Sequence, residues 1–277
     1  MSQDASAGLL QTEETGRPPT SAVYDRIIRG FLVIDCRSIP GAVMSARLNF
    51  LFLLTPLLAL TFAPSVSVAS EEDDGFVSIF DGTTLTGWNG KPEFWSVRDG
   101  AVTGETTAEK PTDGNTFLIF KDEVSDFELR VKVRIFGGNS GIQFRSVNKG
   151  NSVVHGYQTD VDSTDKYMGD LYDEGGRGVL AKGGDKVSIG MKGDKTIVAK
   201  LSDRRDIISA INPMDWNTYV VIAKGNRIIQ KINGLNTVDL VDNEKGRARA
   251  NGVLAFQLHA GPPMRVQFKD IRIKRLR

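Results

Sequence analysis

The sequence predicts an all-β fold, built as an antiparallel sandwich or barrel. Short apolar or alternating segments follow one another from Phe76 to the end of the chain, separated by turns that contain Gly, Asn or Asp. This close spacing of strands and turns is typical of antiparallel sheets. No strand–helix–strand rhythm is present, and only one segment has the boundaries of a helix. These observations favour a β-sandwich with one short helix.

A secretory leader is expected ahead of this domain. Arg47 follows Met44 closely, an apolar run extends from Leu48 to Ala63, and Ser67-Val68-Ala69 forms a small-x-small cleavage site. The run is shorter than the ~20 residues of a membrane span and is broken by a proline. The segment 44–69 therefore reads as a signal peptide.

Because signal peptides begin chains, we expect translation to start at Met44 and residues 1–43 to be a mis-annotated upstream extension. The alternative is a cytoplasmic extension ahead of a signal anchor. Residues 70–75 are expected to form a flexible acidic lead, and residues 76–277 to form one large β domain. Export then predicts a periplasmic or extracellular protein.

The net charge and the cysteine content exclude several classes of function. The net charge is +1, and residues 1–69, which would be absent from the mature protein, carry as many basic as acidic residues, so the mature charge is unchanged. There is no basic excess for nucleic acid or for an anionic membrane, and neither partner is expected for the mature form. The only cysteine, Cys36, precedes the predicted domain, which excludes disulfides and thiol chemistry there.

The strands of the first half are justified by alternation and turns. Phe76–Phe80 alternates as a first strand, and Asp99-Gly100 predicts a tight hairpin. Phe127–Ile135 has the clearest pattern, with apolar and charged residues on opposite faces. Other strands expected in this half are Phe94–Arg98, Ala101–Gly104, Thr116–Phe120, Ser140–Ser146, Gly156–Asp162 and Asp170–Glu174.

The second half contains the one predicted helix, Asp203–Ile211, capped by Ser202 or Asp203. A hairpin follows, and the last strand, Arg265–Lys274, changes the parity of its apolar residues, which predicts a bulge near Lys269-Asp270. The remaining strands are expected at Gly178–Ala181, Lys186–Met191, Thr196–Lys200, Trp216–Lys224, Arg227–Asn233, Thr237–Val241 and Gly252–His259.

Polar side chains gather in the segment Asn139–Glu174. Alternation predicts that Gln143 and Arg145 share one face, and that Gln158, Asp160 and Asp162 share another. Tyr172, Asp173 and Glu174 follow in the next strand. Such a set suits a cleft for a polar, uncharged ligand such as a sugar. A hydrogen-bonded polar face without a ligand is the alternative.

A histidine ends the strand Gly252–His259. Gln257 and His259 share its polar face, and the stiff turn Ala260-Gly261-Pro262-Pro263 follows. Histidine is suited to proton transfer near neutral pH, although a histidine bonded to a carbonyl for structure is the alternative. His155 is expected to be structural or on the surface.

Other chemistry is less favoured. Asp160 and Asp162 allow a glycosidase-like carboxylate pair or a Ca²⁺ site, but the spacing of a calcium loop is missing. The sequence contains no zinc motif, no GxSxG elbow and no phosphate-binding loop. No metal and no cofactor is therefore predicted.

Several motifs together resemble the 3-keto-disaccharide hydrolase domain family, over essentially all of Phe76–Leu276. In chain order they are Gly87-Trp88-Asn89-Gly90, Asn139–Ser146, Gly156–Asp162, Gly169–Glu174, Asp215–Asn217, Ile232–Gly234 and Gly252–Leu276. The resemblance implies a concanavalin A-like jelly-roll sandwich. It also implies a carbohydrate substrate, a glycoside oxidised to a ketone at C3, with an aglycone that the sequence leaves open.

Cleavage of such a sugar needs a base for the C2 proton, a group that stabilises the ketone oxygen, and help for the leaving group. We expect His259 or Asp160 as the base, Arg145 with Gln143 or Gln158 at the ketone oxygen, and Tyr172 or Glu174 at the leaving group. Asp162 and Gln257 are expected to bind substrate.

Two functions without catalysis remain open. One is a carbohydrate-binding module that uses Trp88, Tyr157 and Tyr172 as stacking platforms. The other is a structural or interaction domain at the cell surface. Trp216 is expected in the core.

Overall fold

The computed structural model describes residues 75–164 and 166–277. The predicted upstream extension and leader, and the lead up to residue 74, lie outside this range. Within the described residues, no helix is long and apolar enough to cross a membrane.

Two β-sheets make up the fold. The helix α1 is Arg204–Ala210. In chain order the strands are β1 (Val77–Ser78), β2 (Trp88–Asn89), β3 (Trp95–Arg98), β4 (Ala101–Thr106), β5 (Thr116–Val124), β6 (Phe127–Phe136), β7 (Asn139–Gly150), β8 (Val153–Asp162), β9 (Leu171–Glu174), β10 (Gly178–Ala181), β11 (Asp185–Ile189), β12 (Lys195–Lys200), β13 (Asn217–Lys224), β14 (Arg227–Ile232), β15 (Leu235–Asp242), β16 (Gly252–Leu258) and β17 (Met264–Arg275).

The ten-stranded sheet has the order β12-β11-β15-β14-β13-β6-β17-β4-β3, with β1 beside β17. Among the described strands of this sheet, β11 and β15 pair in parallel and the other pairs are antiparallel. In β17 the register shifts between Lys269 and Arg272, and Asp270 has a φ of 51°. The predicted bulge is confirmed, and it lets β17 pair with β4 before the bulge and with β1 after it.

The seven-stranded sheet has the order β10-β9-β8-β7-β16-β5-β2. It places the polar segments β7, β8 and β9 side by side, and it adds β16 next to β7. Gln143 lies opposite Gln158, and Gln158 lies opposite Tyr172. Residues that are far apart in sequence are therefore neighbours on one face.

The core lies between the sheets and confirms the predicted sandwich, a concanavalin A-like jelly roll. Phe256 of the smaller sheet stacks on Phe268 of the larger sheet, with ring centroids 3.9 Å apart and planes 5° apart. Trp88 stacks on Phe256 with centroids 4.9 Å apart. Trp88 and Tyr157 are both core residues, so neither can be a sugar-stacking platform.

Two local predictions need correction. Trp216 is half-buried, with Arg134 and Lys269 over its ring, and is not in the core. The helix is one residue shorter at each end than predicted. Of the two proposed caps, Asp203 is the N-cap, although its side chain makes no cap hydrogen bond, and Ser202 donates to the carbonyl of Asn236 instead.

The prediction that Arg145 shares a face with Gln143 is wrong. A β-bulge interrupts β7 after Phe144, and Arg145 takes a φ of 47°. Its side chain is buried, and its guanidinium donates to the carbonyls of Ser125 and Gly225 and to the carboxylate of Asp126, at 2.6 to 2.7 Å. The bulge reverses the alternation, so Arg145 ties loops together.

Replacement of Arg145 by Met should lower the free energy of unfolding by about 3 kcal/mol, because the carbonyls of Ser125 and Gly225 and the carboxylate of Asp126 lose the donor that joins them. Urea unfolding of the purified domain measures this. The matched control is Arg98→Met, which removes an ion pair whose arginine is half exposed and should cost less than about 1 kcal/mol. Equal losses for the two variants would contradict the structural role of Arg145.

Candidate active site

The outer face of the smaller sheet forms a cleft with a volume of about 390 Å³. Strand β8 supplies its floor, strand β9 supplies one wall, and the loops before β5 and after β16 supply its rim. The lining residues are Asn115, Asn139, Gln158, Asp160, Tyr167, Tyr172, Glu174 and His259. Five of the nine predicted site residues are brought together here: Gln158, Asp160, Tyr172, Glu174 and His259.

A row of amides leads to the carboxyl group of Asp160. Gln143 donates from Nε2 to Oε1 of Gln158 at 2.9 Å, and Gln158 donates from Nε2 to Oδ1 of Asp160 at 2.8 Å. Ser146 donates to Oε1 of Gln143 at 2.6 Å. Because each amide has one donor side and one acceptor side, the row has a single direction, and it fixes the Gln158 side chain in the cleft.

A glycine makes room for this row. An added Cβ on Gly141 would lie 2.2 Å from the side chain of Gln158. Any side chain at position 141 would therefore displace the amide that holds Asp160.

Gln143 and Gln257 do not line the cleft. Both are fully buried, and the Gln257 Nε2 has no hydrogen-bond partner among the described residues. The prediction that they bind substrate is corrected: Gln143 supports Gln158 from the neighbouring strand, and Oε1 of Gln257 lies 3.5 Å from Nε2 of Gln158.

Asp160 is held in its neutral form. Its side chain is only 4% exposed, and this burial raises its pKa to about 8. The negative charges of Asp170, Asp162 and Glu174 raise the pKa further, whereas the hydrogen bond from Gln158 opposes the shift. At neutral pH the carboxyl therefore keeps its proton, which makes it a hydrogen-bond donor and a poor base.

His259 has the opposite character. Its Nδ1 is hydrogen-bonded to the carbonyl oxygen of Ala260. A carbonyl can only accept, so Nδ1 carries the ring proton and Nε2 is left with a lone pair in the neutral imidazole. The histidine that ends β16 can therefore accept a proton at Nε2.

Asn115 is a site residue that sequence reasoning missed. It donates from Nδ2 to Oε1 of Glu174 at 2.9 Å and accepts from the Ala260 backbone N–H at 3.0 Å. It thus joins Glu174 to the turn that carries His259. No local pattern marks it, because it lies in a polar loop far from both partners in sequence. Tyr167 and Asn139 were also missed, although both lie in the polar segment Asn139–Glu174.

The carboxylate of Asp162 is turned away from the cleft, which corrects its predicted role. It accepts hydrogen bonds from the backbone N–H and hydroxyl of Thr164 at 3.0 and 2.9 Å, and from the backbone N–H of Tyr167 at 2.8 Å. It holds the turn that presents Tyr167. Arg145, as described above, is also outside the cleft.

Tyr172 and Glu174 form the wall on β9. Burial raises the pKa of Tyr172, and the negative charge of Glu174 adds to the shift, so its hydroxyl stays a donor. Tyr172 is the one predicted stacking residue that reaches the cleft. In the described part of the chain, no group of three or more His, Cys, Asp or Glu is arranged to hold a metal ion.

Comparison with known proteins identifies the family of the chain. The sequence model of the 3-keto-alpha-glucoside-1,2-lyase-like domain matches residues 75–274. A protein of Bacteroides thetaiotaomicron named 3-keto-disaccharide hydrolase is 31% identical over 100 residues, which are 31% of this chain and 34% of that protein. The matched region thus spans about a third of that curated relative.

Two solved structures from Parabacteroides distasonis, both provisionally named glycosyl hydrolases, have the same fold. They are 19% and 17% identical, each with a TM-score of 0.51 over 73% of this chain, and they are covered over 94% and 99% of their own lengths. At this identity they support the sandwich architecture alone.

The neutral state of Asp160 predicts a pH-dependent effect of Asp160→Asn on stability. Between the ordinary pKa of about 4 and the native value of about 8, the unfolded chain loses this proton and the native chain keeps it. Native wild-type protein therefore loses stability as the pH rises through this window, whereas the variant does not. Thermal unfolding should show an advantage of the variant that grows from pH 5 to pH 8 and then levels off.

Asp162→Asn is the matched control for this measurement. It replaces one carboxylate oxygen by an amide nitrogen, which cannot accept the hydrogen bonds of the turn to Tyr167, so it should lower the melting temperature. A difference between Asp160→Asn and wild type that is independent of pH would refute the neutral carboxyl.

Proposed function

Because the chain belongs to the 3-keto-alpha-glucoside-1,2-lyase-like domain family, we propose that it is a carbohydrate-cleaving enzyme acting on glycosides with a ketone at C3. The observation that carries the proposal is the pairing, in one sugar-sized cleft, of a neutral carboxyl at Asp160 with an imidazole at His259 that can accept a proton. Elimination chemistry needs these two different functions.

The reaction follows from the acidity of the carbon next to a ketone. A base removes the C2 proton and leaves an enolate, and the C1–O bond then breaks as the C1=C2 double bond forms. The departing oxygen takes up a proton. Water next adds its hydroxyl to C1 and a proton to C2, so the sum is hydrolysis. No covalent bond to the protein is required.

His259 is proposed as the base. Its Nε2 is the acceptor position, and the Nδ1–H bond to the Ala260 carbonyl fixes the ring and stabilises the imidazolium that forms. The proton that it removes can then be given to the departing oxygen. Asn115 holds the same turn by its bond to the Ala260 N–H, which keeps the ring in position.

Asp160 is reassigned from a possible base to a hydrogen-bond donor. A neutral carboxyl in a buried setting stabilises negative charge as it develops on the ketone oxygen, and its own proton is not lost at neutral pH. Gln158 orients it through the row of amides. Burial is therefore useful here, since a weakly screened donor stabilises an enolate more than a solvated donor does.

Tyr172 and Glu174 are proposed to bind the hydroxyl groups of the keto sugar. Both lie on the wall of β9, and Asn115 restrains the carboxylate of Glu174. A donor and an acceptor side by side match sugar hydroxyls, which are both. This position favours substrate binding over help for the leaving group, the role expected from sequence.

Export to the periplasm or beyond is proposed from the leader-like segment 44–69 alone. Fractionation of cells, with N-terminal sequencing of the mature protein, tests it. A mature N-terminus near Ser70 is expected, and a cytoplasmic protein beginning at Met1 would contradict export.

Turnover of a 3-keto-glucoside carrying deuterium at C2 should be slower than turnover of the unlabelled compound. In deuterated water, the released 3-keto sugar should acquire deuterium at C2, because the enolate is reprotonated by solvent. Mass spectrometry and initial rates measure both effects. Product that keeps its original C2 hydrogen would rule out elimination.

His259→Gln should lower kcat by about 10²- to 10⁴-fold, because glutamine cannot accept the C2 proton. The matched control is His155→Gln, which changes the other histidine of the chain, outside the cleft. Arg145→Met is a second control, expected to be less stable but to turn over normally well below its melting temperature. Full activity of His259→Gln would remove His259 as the base.

A further inference from the structure

A second pocket adjoins the cleft and is called here the side pocket. It has a volume of about 260 Å³ and shares three lining residues with the cleft: Asn139, Tyr167 and His259. The two cavities therefore meet at the ring proposed as the base. A substrate with its C1–C2 bond at His259 has its sugar ring on one side of this boundary and its leaving group on the other.

The lining of the side pocket is largely apolar. Ala260, Pro262 and Met264 come from the turn after β16 and the start of β17, and Tyr167 comes from the loop between β8 and β9. An added Cβ on Gly138 would lie 3.0 Å from Met264, so the glycine leaves the methionine side chain its space. These groups offer flat hydrocarbon and sulfur surfaces.

Most of the polar side chains in the side pocket are engaged with one another. Asp162 accepts from the backbone and hydroxyl of Thr164 and from the backbone of Tyr167. The Thr164 hydroxyl donates to Asp162 and accepts from the Lys166 backbone N–H. The exceptions are the Asn139 side chain, which makes no hydrogen bond within the described part of the chain, and Nε2 of His259. The pocket therefore offers few free partners for hydroxyl groups.

We propose that the side pocket receives the leaving group and selects aromatic leaving groups over sugars, so that the preferred substrates are aryl 3-keto-glycosides. This inference rests on the proposed function. A sugar moved into this pocket would leave several hydroxyls without partners, and each buried unpaired polar group is costly. An aromatic ring buries apolar surface and stacks on Tyr167 without that penalty.

The chemistry of departure favours the same class. A phenol has a pKa of about 10 and leaves as a comparatively stable anion, unlike a sugar alcohol. The protonated carboxyl of Asp160 and the hydroxyl of Tyr172 line the cleft and not the side pocket. His259, which lines both cavities, is then the acid available to the departing oxygen, and a leaving group that needs no further help suits this arrangement.

The test compares kcat/KM for phenyl 3-keto-glucoside and for a 3-keto-disaccharide of the same anomeric configuration. Wild-type protein should have a kcat/KM for the phenyl compound that is higher by about tenfold or more, because a small apolar contact typically changes kcat/KM by that factor. Met264→Gln and, separately, Pro262→Ser should reduce this preference by lowering kcat/KM for the phenyl compound alone. Pro262 is exposed, so its variant does not depend on core packing.

Met191→Gln is the matched control, since it makes the same change at a methionine that is 68% exposed and outside both cavities. It should leave the preference unchanged. Equal rates on the two substrates, a preference for the disaccharide, or variants that slow both substrates alike would overturn the proposal.

If neither compound is cleaved, the proposed function fails but the side pocket can still be tested. The rise in melting temperature caused by each compound at equal concentration reports binding to the native state. A larger rise with the phenyl compound, lost in Pro262→Ser, would support the aromatic pocket. Equal rises would refute it.

Discussion

The site depends on how strand β16 of the smaller sheet packs against the larger sheet. Phe256 stacks face to face on Phe268 of the opposite sheet, and Leu258 is buried in the same core. Because side chains alternate along a strand, Gln257 and His259 must then face outward. Slippage of β16 by one residue would bury His259 and expose the phenylalanine, so the core packing fixes the register of the proposed base.

The same alternation of side chains places a row of buried glutamines beneath the cleft. Gln143 and Gln257 are fully buried on the outer face of their sheet, where unpaired amides would be costly. Gln143 is held by Ser146 and Gln158, and this chain ends at Asp160. A buried amide row therefore sets the direction of one hydrogen bond and the position of one carboxyl. That carboxyl is kept neutral by the burial that the row requires.

Asp160 and His259 both line the cleft, but their surroundings give the two side chains different protonation behaviour. Asp160 lies on the floor among carboxylates and holds its proton. His259 lies at the rim, with Nδ1 engaged and Nε2 available. Separation of a proton acceptor from a neutral donor is the general requirement for abstraction of a proton beside a carbonyl. The turn after β16 links the base to the side pocket, so leaving-group selection and proton transfer share one structural element.

The sequence by itself determined the all-β sandwich, the strand predicted at Phe127–Ile135, the hairpin at Asp99-Gly100 and the bulge in the last strand, and it named Gln158, Asp160, Tyr172, Glu174 and His259 as site candidates. Alternation and turn chemistry are local properties, and they are readable from neighbouring residues. Only the tertiary structure decided that Arg145 leaves the polar face, that Asp162 holds a turn, and that Asn115 joins the site. Within the predicted strand Ser140–Ser146 no apolar residue follows Phe144, so the pattern gives no sign of the bulge there. Contacts between distant loops depend on sheet order, which no local pattern encodes.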